Sequence, residues 1–309
     1  MMRQSIYHKF TVFLSWHLVC FMLIFLTVAT SIFDENAAGI QSSWANEIQN
    51  QNMFDSIKAR LVNDGFSTED IGRIYSNQKV SLELKGVSLF FVHSESSLDY
   101  DQFLSNTAIN SAFAYITSHD QELESAQKIY GVDKRVITAI MLVETRLGTY
   151  LGNRTVINTL STMSALSDTG HREILWNFLS NEKRISRDKF DQKADSKAEW
   201  AYNELKALLK YAAREKIDPV QIIGSYAGAM GIAQFMPSNA LTLAKDGNMD
   251  GKVDLFNHAD AIHSIANYLK HHGWQPAVNR EEAYKVLYKY NHSNEYVETL
   301  LKISDRLKG

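Results

Sequence analysis

The sequence predicts a mainly α domain. Three observations carry that prediction. Apolar residues recur at helical spacing along most of the chain, polar capping residues stand where several of those stripes begin, and all three prolines fall after residue 218. The chain has 309 residues, a net charge of −3 and 45% hydrophobic residues. That balance suits a packed globular core and lacks the basic stripe that nucleic-acid binding needs. No internal repeat or low-complexity tract interrupts it.

At the N-terminus, Arg3, His8 and Lys9 precede Phe10 to Phe33, 24 residues without a charge. A basic start followed by an apolar run marks residues 1–33 as a signal peptide or, given its length, a signal anchor. Export follows from either, with candidate cleavage after Thr30 or near Ala37-Ala38. Cys20, the only cysteine, lies inside this run behind His17-Leu18-Val19, a poor lipidation box. The exported part then has no disulfide, no cysteine-based metal site and no thiol nucleophile.

Residues 34–52 are rich in Asn, Gln, Ser and Ala and read as a linker. Residues 53–309 read as one domain. It opens on a helical stripe of Phe54, Ile57, Leu61 and Val62, and Ser67 caps a second helix with Glu69 and Asp70 in its first turn. Val80 to His93 is dense in Leu, Val and Phe and is expected to form a strand or extended segment. Residues 100–130 return to helical spacing. An amphipathic helix follows over 195–216, with Trp200, Leu205, Leu208, Leu209 and Ala212 inward. Another covers 259–272, and 281–307 divides into two more.

The helix that starts at Asp133 carries the first chemical signal. Ile137, Ile140, Met141 and Glu144 share one face at i, i+3, i+4 and i+7, and Gly148 is placed to end the helix. No Lys or Arg lies on that face one turn away. A carboxyl against an apolar wall has its pKa raised and stays protonated near neutral pH, which is the profile of a general acid. A Glu at the edge of the stripe, reaching solvent or a distant Arg, satisfies the same spacing.

A second signal lies between Gly224 and Ser238. Small residues there let the backbone approach a helix or a ligand closely, and Ser225 and Gln234 are polar groups set among Ala, Gly, Met and Phe. A third runs from Asp246 to Asn257 and fits the EF-hand loop at positions 1, 3, 5, 6 and 9. Oxygen ligands for calcium would come from Asp246, Asn248, Asp250, the Lys252 carbonyl and Asp254. Asn257 takes the twelfth position in place of a bidentate Glu, which predicts weaker affinity. An Asp/Asn/Gly turn without metal has the same composition. The ten histidines form no zinc pattern, and Gly228-Ala229-Met230-Gly231 lacks the Lys and strand of a phosphate loop.

Glu144-Thr145-Arg146-Leu147-Gly148 and Ser225 to Ser238 together resemble motifs of the lytic murein transglycosylases of the B type. So do Asp260 to Leu269 with His272-Gly273-Trp274, and Tyr290-Asn291-His292-Ser293-Asn294-Glu295-Tyr296-Val297. The resemblance runs in order from about Phe54 to the C-terminus. It implies a lysozyme-like helical catalytic domain with minor β or extended segments. It also implies cleavage of the β-1,4 bond between N-acetylmuramic acid and N-acetylglucosamine in peptidoglycan glycan strands.

The family's single acid maps onto Glu144, which would act as acid and then base while the sugar's 6-hydroxyl closes a 1,6-anhydro ring. No cofactor is required for that chemistry, and calcium would be structural. By the same resemblance Ser225 holds the substrate's N-acetyl group or the carboxylate, Gln234 bonds sugar, and Tyr290, Asn291 and Tyr296 stand near the acid. Arg172 matches one of two arginines near the peptide-bearing sugar, while the other position is His171, a departure that bears on peptide recognition. Two readings share these residues: a goose-lysozyme-like muramidase in which water replaces the 6-hydroxyl, and an inactive glycan-binding or scaffold protein. A periplasmic location follows, soluble or held at the inner membrane by the N-terminal segment. No repeat-type wall-binding domain is evident, so that segment or cell-wall enzyme partners would place the protein on its substrate.

Overall fold

The computed structural model describes residues 53–92, 99–179 and 185–308. The signal segment and linker expected over 1–52 lie outside the described residues. Among the described residues, no helix is long and apolar enough to cross a membrane.

The fold is helical almost throughout, as its sequence periodicity predicts. In chain order the helices are α1 (Asp55–Asn63), α2 (Thr68–Tyr75), α3 (Leu84–Val92), α4 (Asn106–Ser118), α5 (Asp120–Tyr130) and α6 (Lys134–Thr145). Then come α7 (Val156–Ala165), α8 (Thr169–Phe178), α9 (Arg187–Glu215), α10 (Pro237–Leu243), α11 (His258–His271), α12 (Arg280–Tyr290) and α13 (Asn294–Arg306). Short 3-10 turns cover Asp101–Leu104 and Pro219–Gln221. Two short strands, β1 (Arg154–Thr155) and β2 (Ile223–Gly224), pair antiparallel with Arg154 opposite Gly224.

The helices pack as two neighbourhoods around one continuous apolar core. In one, α9 lies along α7 and α10, and α1 and α3 close over α7. In the other, α6 is enclosed by α4, α5, α11 and α13. Every residue of α6 from Val136 to Thr145 is buried. The β1–β2 pair and the loop after it join the two.

Caps fall where the sequence places them. Ser67 accepts the Asp70 N–H, and Asp133 accepts the Arg135 N–H at 2.8 Å. Helix α9 begins eight residues before its expected start, because Phe190 and Ala194 extend its buried stripe.

The strand expected at Val80–His93 is a helix from Leu84 onward. Residues 80–83 are neither helix nor strand, and α7 holds them in place. Asn158 accepts from the Ser81 N–H and donates to the Lys79 carbonyl, and Thr162 accepts from the Glu83 N–H at 2.8 Å. Past that clamp, Leu84, Val87 and Phe91 bury at helical spacing. A short apolar run reads as either period until its partners are known.

Helix α6 also stops before Gly148. Arg146 and Leu147 both take left-handed backbone, at φ 49° and 61°, and the Leu147 N–H reaches back to the Met141 carbonyl at 2.9 Å. This closes the helix at Thr145 and leaves Glu144 in its last turn.

Candidate active site

Glu144 is 2% exposed. Its Oε1 accepts a hydrogen bond of 3.1 Å from the Tyr296 hydroxyl, and its Oε2 is buried with no partner. The cations nearest in sequence are engaged elsewhere: Lys134 with Asp120 and Glu124, Arg135 with Asp133, and Arg146 with Gln102. Burial therefore pushes the Glu144 carboxyl well above the ordinary range, and the Tyr296 hydrogen bond opposes that only in part. Tyr296 is itself fully buried. Burial, and then the charge of Glu144, raise its hydroxyl pKa, so it stays a neutral donor.

Three segments meet around this carboxyl. Thr145, next to the acid, donates to the Ile232 carbonyl at 3.0 Å and so ties the end of α6 to the 225–236 loop. Tyr290, the last residue of α12, donates to the Ala233 carbonyl of that loop at 2.6 Å. Its ring packs edge-on against Tyr268 at 4.9 Å and tilted against Phe235 at 6.1 Å. Tyr296 arrives from the first turn of α13, where Ser293 caps the helix. Between the two tyrosines Asn291 is fully buried, and neither its Oδ1 nor its Nδ2 has a partner. A buried, unpaired amide and a buried, half-paired carboxyl are each costly unless a polar ligand completes them.

The loop owes its shape to glycine. Gly231, at φ +72°, lies where a Cβ would come within 2.5 Å of the Leu255 Cβ and carbonyl oxygen. Gln234 sits in the same loop with left-handed backbone, φ 48°, and its Nε2 donates to the Gly231 carbonyl at 2.9 Å. Ser225 is buried beneath the loop, where its oxygen accepts the Ala227 and Ala229 N–H groups at 3.2 and 3.0 Å.

Glu144 and Tyr296 are thus in direct contact, and Tyr290, Asn291, Gln234 and Ser225 stand on the segments joined to them. Arg172 is not brought to this cluster. On α8 it bonds the Leu166 carbonyl at 2.5 Å and pairs with Asp195 and, at 4.0 Å, Asp191 on α9. Its neighbour His171 bonds Asp168 and the Met53 carbonyl. Sequence reasoning passed over Tyr100, whose phenol stands close enough to Tyr296 to help raise its pKa. No local pattern around Tyr100 marks it.

In the 246–257 loop, Asp246 accepts the Asp250 and Gly251 N–H groups, Asn248 the Asp250 N–H, Asp250 the Lys252 N–H and Asp254 the Phe256 N–H, all at 2.8 to 3.2 Å. The Asn257 side chain caps α11, accepting the Ala259 N–H at 2.8 Å. The buried carboxylate that faces the loop is Asp260, which accepts the Gly247, Asn248 and Asp254 N–H groups. Its spacing from Asp246 falls outside the twelve-residue pattern, so that pattern gave no sign of it. Among the described residues, no group of three or more His, Cys, Asp or Glu is placed to hold a metal ion. The loop's donors are all oxygens, a set that suits a hard cation.

A mostly helical, lysozyme-like domain with a buried acid of raised pKa in the last turn of a core helix defines the class. The chain belongs to the transglycosylase SLT domain family, whose model matches residues 49–281. It is 32% identical over 173 residues to the membrane-bound lytic murein transglycosylase B of Escherichia coli, a stretch that covers 56% of this chain and 40% of that relative. The fold matches the Escherichia coli lytic transglycosylase Slt35 in complex with calcium, with a TM-score of 0.66 and 22% identity over 84% of this chain and 94% of that one. It also matches SltB3 from Pseudomonas aeruginosa in complex with NAG-anhNAM-pentapeptide, with a TM-score of 0.65 and 20% identity over 84% and 80% of the two chains.

Proposed function

We propose that this protein is a peptidoglycan lytic transglycosylase that cleaves the MurNAc–GlcNAc β-1,4 bond and leaves a 1,6-anhydromuramic acid end. The observation that carries the reading is Glu144 itself: buried, with its pKa raised by that burial, held on one oxygen by Tyr296 and without a partner on the other. The unpaired oxygen is the one left to meet a substrate. Glu144 gives its proton to the glycosidic oxygen as the C1–O bond breaks. The resulting carboxylate takes the proton of the sugar's own 6-hydroxyl, whose oxygen bonds to C1. One carboxyl serves twice, no water is consumed, and the second carboxylate that most glycosidases use is not needed. The anhydro sugar in the SltB3 complex and the name of the Escherichia coli relative support this reading.

The test is digestion of purified peptidoglycan followed by mass spectrometry of the products. Anhydromuramyl ends are expected. Ordinary reducing ends would make the protein a muramidase, and binding without any soluble product would make it a glycan-binding protein.

Tyr296→Phe checks the arrangement of the acid. Loss of its hydrogen bond removes the one influence that lowers the Glu144 pKa. The alkaline limb of the pH–rate profile is therefore expected to move upward, with kcat reduced about tenfold because the carboxyl is no longer oriented. An unmoved limb would mean that another group sets it.

Export, through a cleaved signal or an anchor at residues 1–33, would put the enzyme beside its substrate, and the membrane-bound relative supports that location. We assign a structural calcium to the 246–257 loop, held by Asp246, Asn248, Asp250 and the Lys252 carbonyl, with no part in the bond cleavage. The calcium complex of Slt35 supports it. Saturation at a hundred times Kd stabilises by about 2.7 kcal/mol. Calcium is thus expected to raise the melting temperature by roughly 5–10 °C in the full chain and to have no effect on Asp250→Ala. Equal melting curves with calcium and with chelator would remove the assignment.

A further inference from the structure

One flank of α12, between its core side and its exposed side, presents a row of rings at every fourth position: Tyr284, Tyr288 and, just past the helix end, His292. Tyr284 and Tyr288 are nearly parallel, with centroids 6.4 Å apart and planes 12° apart. Tyr288 meets His292 edge-on at 4.9 Å. All three are only half-buried, while the core side of the same helix is made by Ala283, Val286, Leu287 and Tyr290. The ladder measures, centroid to centroid, no more than about 11 Å from its two ring separations. It ends at the corner that carries Tyr290, Asn291 and Tyr296, the wall of the Glu144 site. At its far end the Tyr284 hydroxyl donates to Asn294 at 2.7 Å, which fixes the ring before any ligand arrives.

Rings arranged this way have a chemical counterpart in pyranose sugars. A tyrosine offers an apolar face to the C–H side of a sugar and a hydroxyl to its rim. A polymeric substrate cut at Glu144 extends beyond the site, and this row adjoins the corner between α12 and α13 from which Tyr296 reaches the acid.

We propose that the Tyr284–Tyr288–His292 ladder is an outlying subsite of the glycan strand, holding sugars by stacking at a distance from the scissile bond. The inference rests on the glycan-cleaving reading above and adds a surface that reading does not use.

The test uses the full chain carrying Glu144→Gln, so that substrate is bound but not cut, and peptide-free glycan strands with a tetrasaccharide as the short comparison. Binding is followed by calorimetry. Tyr288→Ala and, separately, the more outlying Tyr284→Ala are expected to weaken strand binding five- to tenfold. The ratio of strand to tetrasaccharide affinity falls by a similar factor. Tyr288→Phe, which keeps the ring, restores it to within twofold. Melting curves show which variants are folded, and either alanine variant alone decides the matter. Unchanged strand affinity in a folded alanine variant overturns the ladder, as does a loss equal on strand and tetrasaccharide. Failure of the Glu144→Gln parent to bind any strand overturns the glycan reading itself, and the ladder with it.

Discussion

Glu144→Gln is expected to lower glycan cleavage by about 10²–10⁴-fold and, at neutral pH, to make the protein more stable. The first effect follows because an amide has no proton to give. The second follows from linkage. In the unfolded chain the Glu144 carboxyl titrates near its ordinary 4.5; in the fold, burial holds it well above that. Below pH 4.5 both states are protonated and the carboxyl has no effect on stability. As pH rises from there toward the folded pKa, the unfolded chain ionises while the folded one keeps a neutral acid, so the folded state loses ground. Above the folded pKa the full cost is present. Glutamine has the same shape and never ionises. Its advantage should therefore be absent at pH 4 and present at pH 7, worth about 2–4 °C in melting temperature for each kcal/mol. Melting curves of the two proteins at both pH values check it. Coincident curves at pH 7, or a wider gap at pH 4, would contradict a buried, uncharged Glu144. A stabilising substitution that removes activity is also the behaviour expected of a strained functional residue rather than a structural one.

Much of this site is legible in the chain because helical periodicity is local. Glu144 announces itself as a charge on an apolar stripe, and Asp133 marks where that stripe begins. What the stripe cannot show is the partner. Tyr296 is 152 residues away, and only the packing of α13 on α6 brings its hydroxyl to Oε1. Helix α3 was unreadable for a related reason: Leu84 to Val92 fits two periods, and Asn158 and Thr162, far along the chain, hold the non-helical segment from which the helix starts. Composition also misleads where one residue type serves two ends. Asn257 fits an EF-hand ligand position and a helix cap equally well by type, and the fold uses it as the cap. Arg172, expected from the resemblance near the peptide-bearing sugar, pairs across α8 and α9 with Asp191 and Asp195.

The loop tied to the end of α6 through Thr145 depends on a backbone contact that no pattern of side chains reveals, and Gly152→Ala tests it. Gly152 has φ +88°, and a Cβ there would fall far inside contact distance of the Gly224 carbonyl. Gly224 cannot swing aside, because it is paired with Arg154 across β1–β2 and bridged to Met230. Left-handed backbone costs a non-glycine residue about 1–2 kcal/mol, and overpacking adds about 1–3. The substitution is therefore expected to cost roughly 2–5 kcal/mol and to lower the melting temperature by roughly 5–15 °C. Activity should fall with it, since β2 leads directly into the loop that carries Gln234 and the Ala233 carbonyl held by Tyr290. Gly251→Ala separates the two costs. Gly251 has nearly the same backbone, φ +86°, but nothing within 4 Å of its Cβ position. It should show the backbone strain alone, about 1–2 kcal/mol. If melting curves of the two variants fall equally, the close approach of Gly152 to Gly224 is not what holds the loop, and its position rests on Gly231 against Leu255 and on Thr145 against Ile232 instead.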